Sequence, residues 1–480
     1  MRKVRSHVCW SLAILALTTS LASAADVVRP NIVLIMADDM GYGDLGCYGA
    51  TKVATPHCDR LAREGRRFTD AHVPTASCSP TRFGLLTGGY PWHEGRVPGA
   101  LNAGEAYKLR DDEPTLPKLL KAAGYSTACI GKWHLGTQRK RPVDWNAPLV
   151  PGPNAAGFDY YFGVINSHNQ APFVLVENEK IIGLKPGDRI AIAGERDQTE
   201  GPRLRDENAL EATQAAKAVQ FIEQNRERPF FLYYPTAAVH DPYTPGKRWQ
   251  GTSEIGVYGD YIQEFDWAVG EVLAALDRLK LAENTIVIVT SDNGAQDNRG
   301  AKWGHKCNGD LRGSKGTAWE GGHRVPFIVR WPGKTPTNST CGETVCHVDV
   351  MATLCAALNI ALPADAGPDS WNVLPAWLGQ TSAQPLREAT VCTGNNSLVY
   401  SIRQGDWKLI VNADGRYDHE VKGEHSRGPI AEPQLFNLAN DPSERHNLAP
   451  SSPEKFQELA ALLDRYREQG FSRPGWKGRP

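Results

Sequence analysis

The chain has 480 residues and a formal net charge of -1, with 53 basic residues set against 54 acidic ones. A chain of this length buries a large core and predicts roughly two or three domain-sized units. Its near-neutral charge argues against nucleic acid and against an acidic membrane surface as partners.

Arg2, Lys3 and Arg5 precede an apolar run over residues 10–21, which ends in the small residues Ala22-Ser23-Ala24. This pattern predicts a secretory signal peptide over residues 1–24, cut after Ala24, and hence a periplasmic or secreted protein. The run is too short for a comfortable membrane span, and no later segment is long enough for one. No cysteine closely follows the small residues, which argues against a lipoprotein anchor. Export permits disulfides, and with Cys9 in the leader the candidates are Cys47, Cys58, Cys129, Cys307, Cys341, Cys346, Cys355 and Cys392. Their pairing cannot be deduced. Cys129 lies in an apolar run and reads as a buried free thiol, whereas Cys341 and Cys346 are near enough for a local bridge. No paired CxxC zinc pattern is present.

Beyond the leader, apolar runs of strand length at residues 31–36, 125–130, 230–234, 285–290 and 325–331 alternate with helical patterns at 115–123, 208–224 and 261–279. Such alternation predicts an α/β domain over residues 25–384 with a large, mostly parallel central sheet. Ligands of such sheets bind beyond the carboxyl ends of strands. The polar stretch 185–206 reads as a loop. From residue 385 to 480 the pattern changes to short strands at 389–392, 399–403 and 407–411 and a helix at 453–469, predicting a smaller antiparallel-sheet subdomain.

Polar clusters stand at the ends of the predicted buried strands. Asp38-Asp39 follows the first, and Ser291-Asp292-Asn293-Gly294 follows the strand at 285–290. Alone, each reads as a helix cap or a turn; together, their carboxylate and amide oxygens suit one hard cation. Gly131-Lys132-Trp133-His134-Leu135-Gly136 follows the 125–130 strand, and His240 follows the strand at 230–234. With Arg82 and Lys315 these form a basic set able to neutralise a tetrahedral oxyanion and charge growing on a leaving oxygen. Cys78-Ser79-Pro80-Thr81-Arg82, followed by Leu85-Leu86-Thr87-Gly88, reads locally as a turn in which Pro80 opens a helix at its first position. The two readings are compatible, because a residue just before a helix start lies near unpaired N–H donors.

The Cys78 motif, taken with Asp38-Asp39, Gly131–Gly136, Asn166-Ser167-His168, Val239-His240-Asp241-Pro242, Ser291–Gly294 and Lys315-Gly316-Thr317-Ala318-Trp319-Glu320-Gly321-Gly322, resembles the type I sulfatases, arylsulfatase A and its relatives, over nearly the whole mature chain. The resemblance implies an alkaline-phosphatase-like α/β domain, a smaller carboxyl-terminal sheet and hydrolysis of sulfate esters at the S–O bond. It implies conversion of Cys78 to formylglycine (3-oxoalanine) by a formylglycine-generating or sulfatase-maturating enzyme. Asp38, Asp39, Asp292 and Asn293 would then hold Ca²⁺, with Mg²⁺ as the other candidate, together with the modified Cys78. Arg82, Lys132 and Lys315 would surround the aldehyde and the sulfate, and His134 would orient the hydrated aldehyde and act as base. Ser167 would hydrogen-bond it, while His240 with Lys315 would assist the leaving oxygen. A hydrated aldehyde carries two hydroxyls, one to attack sulfur and one to expel sulfate afterwards, a release that a serine ester lacks. Thr81 stands where the family most often has Ser, and Gly89 where it often has Arg.

Candidate substrate-rim residues are His168, Asn169, Asp241, His305, Asn308 and Arg312. The segment 298–312 sits between Asp292-Asn293 and Lys315 in the chain, so it can reach a substrate hydroxyl. Trp303 would suit a sugar face or simply loop packing. These residues and the export signal favour a sulfated carbohydrate over a small aryl sulfate. The competing readings are a phosphonate or phosphate ester hydrolase of the same superfamily and an inactive, secreted carbohydrate-binding homologue.

Overall fold

The strand Asn31–Ala37, sequence NIVLIMA, is buried along its whole length. It pairs in parallel with Phe230–Pro235 on one side and Thr285–Ser291 on the other. A continuous apolar run fits this position, because a central strand of a covered sheet has no solvent face. Its alternate side chains enter two cores. Ile32, Leu34 and Met36 pack with Phe83, Leu85, Leu116, Leu120 and Met351, whereas Val33 and Ile35 pack with Leu61, Phe221, Phe265 and Leu273. Helices Cys78–Thr87, Leu116–Ala122 and Val350–Ala357 therefore cover one face. Pro56–Glu64, Leu210–Gln224 and Gly256–Arg278 cover the other.

This computed structural model describes residues 29–193, 198–200, 202–296, 299–417 and 427–478; the expected leader lies outside them. The central sheet has ten strands, in the order Ser339–Cys341, Arg66–Phe68, Phe327–Arg330, Thr285–Ser291, Asn31–Ala37, Phe230–Pro235, Ser126–Lys132, Tyr160–Val164, Val176–Glu177 and Lys180–Ile181. Its centre is parallel, while Phe327–Arg330 and the two-residue strands at the far edge run antiparallel to their neighbours. The architecture is thus the expected α/β class with a mostly parallel sheet. A separate four-stranded antiparallel sheet follows: Thr390–Thr393, Val399–Gln404, Trp407–Asn412 and Gln434–Asn437. Helix Pro453–Gln469 packs on it through Leu459, Leu462, Leu463 and Tyr466.

Three local expectations are corrected. The helix carrying the motif begins at Cys78 itself, with Ser77 as N-cap, so Pro80 is its third residue and not its first. Proline is accepted there because the first-turn N–H groups have no intrahelical acceptor to lose. Cys341 and Cys346 are both free thiols, as is every described cysteine, Cys129 included. They sit on strands of two different sheets, Cys341 beside Phe68 and Cys346 beside His72, which separates them despite their closeness in sequence. Within the 185–206 stretch, Ala191–Ala193 pairs antiparallel with Gln198–Glu200 instead of forming only a loop.

Candidate active site

Three parallel strands from the centre of the sheet end on the same side, with Phe230–Pro235 lying between Asn31–Ala37 and Ser126–Lys132. Asp38 and Asp39 follow Asn31–Ala37, Asp292 and Asn293 follow Thr285–Ser291, and Lys132 is the last residue of Ser126–Lys132. Side chains 44 to 276 residues apart meet there. Lys132 Nζ donates to Asp38 Oδ2 at 2.5 Å, Arg82 to Asp292 Oδ2 at 2.7 Å, and Lys315 Nζ to Asp39 Oδ2 at 2.7 Å. Arg82 also lies 3.6 Å from Asp38 Oδ1, and its other terminal nitrogen donates to the Lys132 carbonyl at 3.2 Å. Asp38, Arg82, Lys132 and Asp292 have no exposed surface. Asp39 has a left-handed backbone, φ 64°, and its N–H donates to Asp292 Oδ1 at 3.0 Å. This non-glycine strain is of the kind that surrounding contacts must hold in place.

The thiol of Cys78, 2% exposed, faces this cluster from the start of its helix. One ligand atom each from Asp38, Cys78 and Asp292 lie within 4.8 Å of one another, and so do those of Asp38, Asp39 and His240. Two acceptors here, Asp38 Oδ1 and Asn293 Oδ1, are buried with no hydrogen-bond partner. Burial opposes charge on Asp38, yet Lys132, His240 and Arg82 hold its carboxyl well below the usual range. Burial and the neighbouring Asp38 charge push Asp292 well above it, against Arg82. Converging, mutually repelling carboxylates and orphaned oxygens fit a hard divalent cation, which would satisfy both.

His134 is buried on a left-handed backbone, φ 56°, with its N–H donating to the Ile165 carbonyl at 2.8 Å. Its Nε2 meets the Leu101 carbonyl at 3.0 Å, while Nδ1 has no partner. Burial, reinforced by Lys132, holds its pKa well below the ordinary histidine value, so the ring is neutral. His240 Nε2 lies 3.7 Å from Asp39 Oδ2, and its Nδ1 donates to the Asp241 carbonyl at 2.5 Å. Burial and Lys315 depress its pKa as well. Burial disfavours charge on Lys315, but Asp39 together with Cys78, Asp38 and Asp292 more than offsets it and keeps the ammonium ionised. Ser167 Oγ is buried and unpartnered. His168 stands edge-on to His240, ring centroids 5.4 Å apart, and burial pushes its pKa down to about 3.

The motif residues that follow Cys78 serve the frame. Ser79 Oγ accepts from Leu101 N–H at 3.0 Å, and Thr81 donates to the Thr75 carbonyl at 2.8 Å. A Cβ on Gly89 would lie 2.9 Å from the Pro368 ring, so in this chain no larger side chain fits at 89 without displacing that proline.

The structure does not bring all the rim candidates to the cluster with free polar groups. His305 is 5% exposed and engages Asp44 Oδ1 at 2.7 Å, with Tyr258 on the other oxygen at 2.5 Å. Asn308 Oδ1 accepts from Ala295 N–H at 2.9 Å, bracing the loop behind Asn293. Arg312 donates to the Glu444 carbonyl at 2.8 Å and stacks on Trp319. Trp303 packs on the core beneath the 299–309 segment. His168 and the half-exposed Asp241 remain beside His240. Two residues absent from the sequence-level candidates are tied into the site. Gln170 shares the Leu101 carbonyl with His134, and Glu211 accepts from the Ala237 and Ala238 amides at 2.8 and 3.0 Å, just before His240. Neither belongs to a motif: Gln170 follows the Asn166-Ser167-His168 cluster in a loop, and Glu211 lies on the helix Leu210–Gln224.

The ten-stranded, mostly parallel sheet with its separate four-stranded antiparallel sheet is an alkaline-phosphatase-like α/β fold. Residues 30–360 match the family model described as Sulfatase, and the chain belongs to the sulfatase family, enzymes that hydrolyse sulfate esters. It is 39% identical to an N-acetylgalactosamine-6-O-sulfatase of Bacteroides thetaiotaomicron, over 91% of this chain and 93% of that protein. It is 35% identical to arylsulfatase A of Homo sapiens, over 93% of this chain and 90% of the relative. A solved structure from work on the metabolism of multiple glycosaminoglycans by Bacteroides thetaiotaomicron superposes with a TM-score of 0.86 at 37% identity, covering 92% of this chain and 99% of that one. No described helix is long and apolar enough to cross a membrane.

Proposed function

We propose that this sulfatase is exported, that Cys78 is its formylglycine precursor, and that its substrate is a sulfated carbohydrate, with 6-O-sulfated N-acetylgalactosamine the first candidate. The observation that carries the reading is the convergence of Cys78, Asp38 and Asp292 within 4.8 Å beneath three cations. The sugar assignment is supported by the name of the 39% identical relative, an N-acetylgalactosamine-6-O-sulfatase.

Asp38, Asp39, Asp292 and Asn293 would hold Ca²⁺, which when bound supplies Lewis-acid polarisation of sulfate oxygen and balances the carboxylates. The aldehyde formed from Cys78 would supply a hydrated carbon with one hydroxyl to attack sulfur and one to release sulfate. Arg82 and Lys132, held by Asp292 and Asp38, keep positive charge at the anion and cost no reorganisation when charge builds. His134, neutral with an unpaired Nδ1, is the residue able to take a proton. Lys315, ionised beside Asp39, would assist the departing oxygen together with His240, which also lies next to Asp39.

Mass spectrometry of the Cys78 peptide is the direct test. Formylglycine in active protein is expected, and full activity with an unmodified thiol would defeat the proposal. Turnover of nitrophenyl sulfate should exceed that of nitrophenyl phosphate, and cleavage of sulfated N-acetylgalactosamine should exceed both. A mature amino terminus at Ala25 is expected for the exported protein.

A further inference from the structure

One backbone residue, Leu101, touches three parts of the site. Its N–H donates to Ser79 Oγ, next to Cys78, at 3.0 Å. Its carbonyl receives His134 Nε2 at 3.0 Å and Gln170 Nε2 at 3.0 Å. Gln170 is in turn bound to the Ser167 segment: Oε1 accepts from Ser167 N–H at 3.2 Å, and its own N–H donates to the Ser167 carbonyl at 2.9 Å. A carbonyl oxygen has two lone pairs and donates nothing, so both partners must present hydrogens to it. His134 therefore carries its hydrogen on Nε2.

We propose that Gln170, acting through the Leu101 peptide, is a positioning residue that fixes the tautomer of His134 and leaves Nδ1 as the basic atom. The role rests on the reading of His134 as the base of a formylglycine-dependent sulfatase. In a neutral imidazole one nitrogen donates and the other accepts, and the bond made by the first decides the second. Nδ1 is buried among the charges of Lys132, Arg82 and Asp38, and it has no hydrogen-bond partner among the described residues. Gln170 holds the same Leu101 carbonyl at 3.0 Å, on a segment anchored at Ser167. Without that amide the carbonyl keeps one tether fewer, and the acceptor that sets the ring's hydrogen is held less firmly in line with Nε2.

Three full-length proteins test this: wild type, Gln170→Leu and Gln170→Glu. The Glu side chain retains an acceptor for Ser167 N–H but has no N–H for Leu101, so it separates the two contacts of Gln170. In protein labelled with ¹⁵N-histidine, long-range proton–nitrogen spectra should show His134 protonated on Nε2 and bare on Nδ1, the signal assigned by its loss in His134→Gln. In both Gln170 variants the spectrum should become mixed or reversed. Their kcat on nitrophenyl sulfate should fall roughly tenfold or more, within the range of a misplaced general base, while KM changes less than about twofold. A bare Nε2 in the wild type, or wild-type kcat and tautomer in both variants, overturns the inference. Full activity in Gln170→Glu alone also overturns it, because the amide donor would then be dispensable. If wild-type protein with converted Cys78 fails to turn over nitrophenyl sulfate, the sulfatase mechanism fails, and the tautomer measurement still stands or falls by itself.

Discussion

Lys315 arrives from a loop far along the chain, and its ammonium is kept ionised by Asp39 at 2.6 Å while only 12% exposed. A cation so held is worth most as charge grows on a departing oxygen, since the dry surroundings screen it little. Lys315→Ala should lower kcat/KM by about 10²- to 10³-fold with the fold intact, the size seen when one preorganised donor is lost. Steady-state kinetics with matched circular dichroism would check it, and an unchanged rate would remove Lys315 from the chemistry. Glu211 is a different kind of residue. Burial, then the nearby Glu264, push its pKa from 4.5 up to about 8. A carboxyl raised in the folded state binds its proton more tightly there than in the unfolded chain. Its contribution to stability is thus complete below 4.5 and disappears as pH rises through about 8. Glu264, raised to about 7, adds in the same direction. Glu211→Gln keeps an oxygen for the Ala237 and Ala238 amides and cannot ionise. Its urea midpoint should fall less than that of the wild type between pH 5 and pH 9, and parallel curves would refute the assignment. Neither Glu211 nor Gln170 stood out in the sequence, because a side chain that bonds main-chain groups has no motif.

At the scale of elements, the central strands were legible because a strand covered on both faces must be apolar throughout. The turn at the head of the Cys78 helix was legible only in part: proline marks the first turn but not which of its residues opens it. Closeness of backbones was not legible at all. Gly131 and Gly163 face each other in register on adjacent strands, with φ of 133° and 156°. A Cβ on Gly131 would lie 1.8 Å from the Pro235 carbonyl oxygen, and one on Gly163 would lie 1.9 Å from the Gly131 carbonyl oxygen. Lys132 ends the strand that carries Gly131, and His134 follows two residues later at the carboxyl end of the sheet. Gly131→Ala should cost at least about 1–3 kcal/mol from backbone strain alone, and more because the contact is with main chain that cannot turn aside. Thermal denaturation would measure it, and a wild-type Tm would show that the strands can separate freely.

At the scale of the molecule, the carboxyl-terminal sheet is docked through buried charge. Lys408, from Trp407–Asn412, has no exposed surface and reaches Glu320 at 3.0 Å, Glu444 at 2.8 Å and His323 at 2.9 Å. Asp70, His72, Arg324 and Arg403 extend the network, with Arg324 at 2.5 Å and His72 at 3.0 Å from Asp70 and Arg403 also bound to it. A second anchor joins Arg387 to Asp349 at 2.5 Å and to the Tyr90 hydroxyl at 2.8 Å. Buried pairs of this kind add little over apolar packing, but removing one partner strands the others. Lys408→Met should therefore destabilise the protein by about 3–5 kcal/mol and expose the carboxyl-terminal sheet to limited proteolysis. An unchanged denaturation midpoint and cleavage pattern would show that Glu320 and Glu444 tolerate the loss.

The sequence by itself determined the α/β class, the chemistry of the residues at the strand ends and the membership that their order implies. Local periodicity and residue type suffice for those, since each is a property of neighbours along the chain. Only the tertiary structure decided which polar atoms remain free. His305 and Asn308 carry suitable groups but spend them on Asp44 and Ala295, whereas His134 Nδ1, Ser167 Oγ, Asp38 Oδ1 and Asn293 Oδ1 are left buried and unpaired. Cys341 and Cys346, five positions apart, lie on different sheets, while Asp39 and Lys315, 276 apart, touch. The physical reason is common to all of these: hydrogen-bond capacity is finite, and its allocation depends on partners that folding brings from elsewhere in the chain.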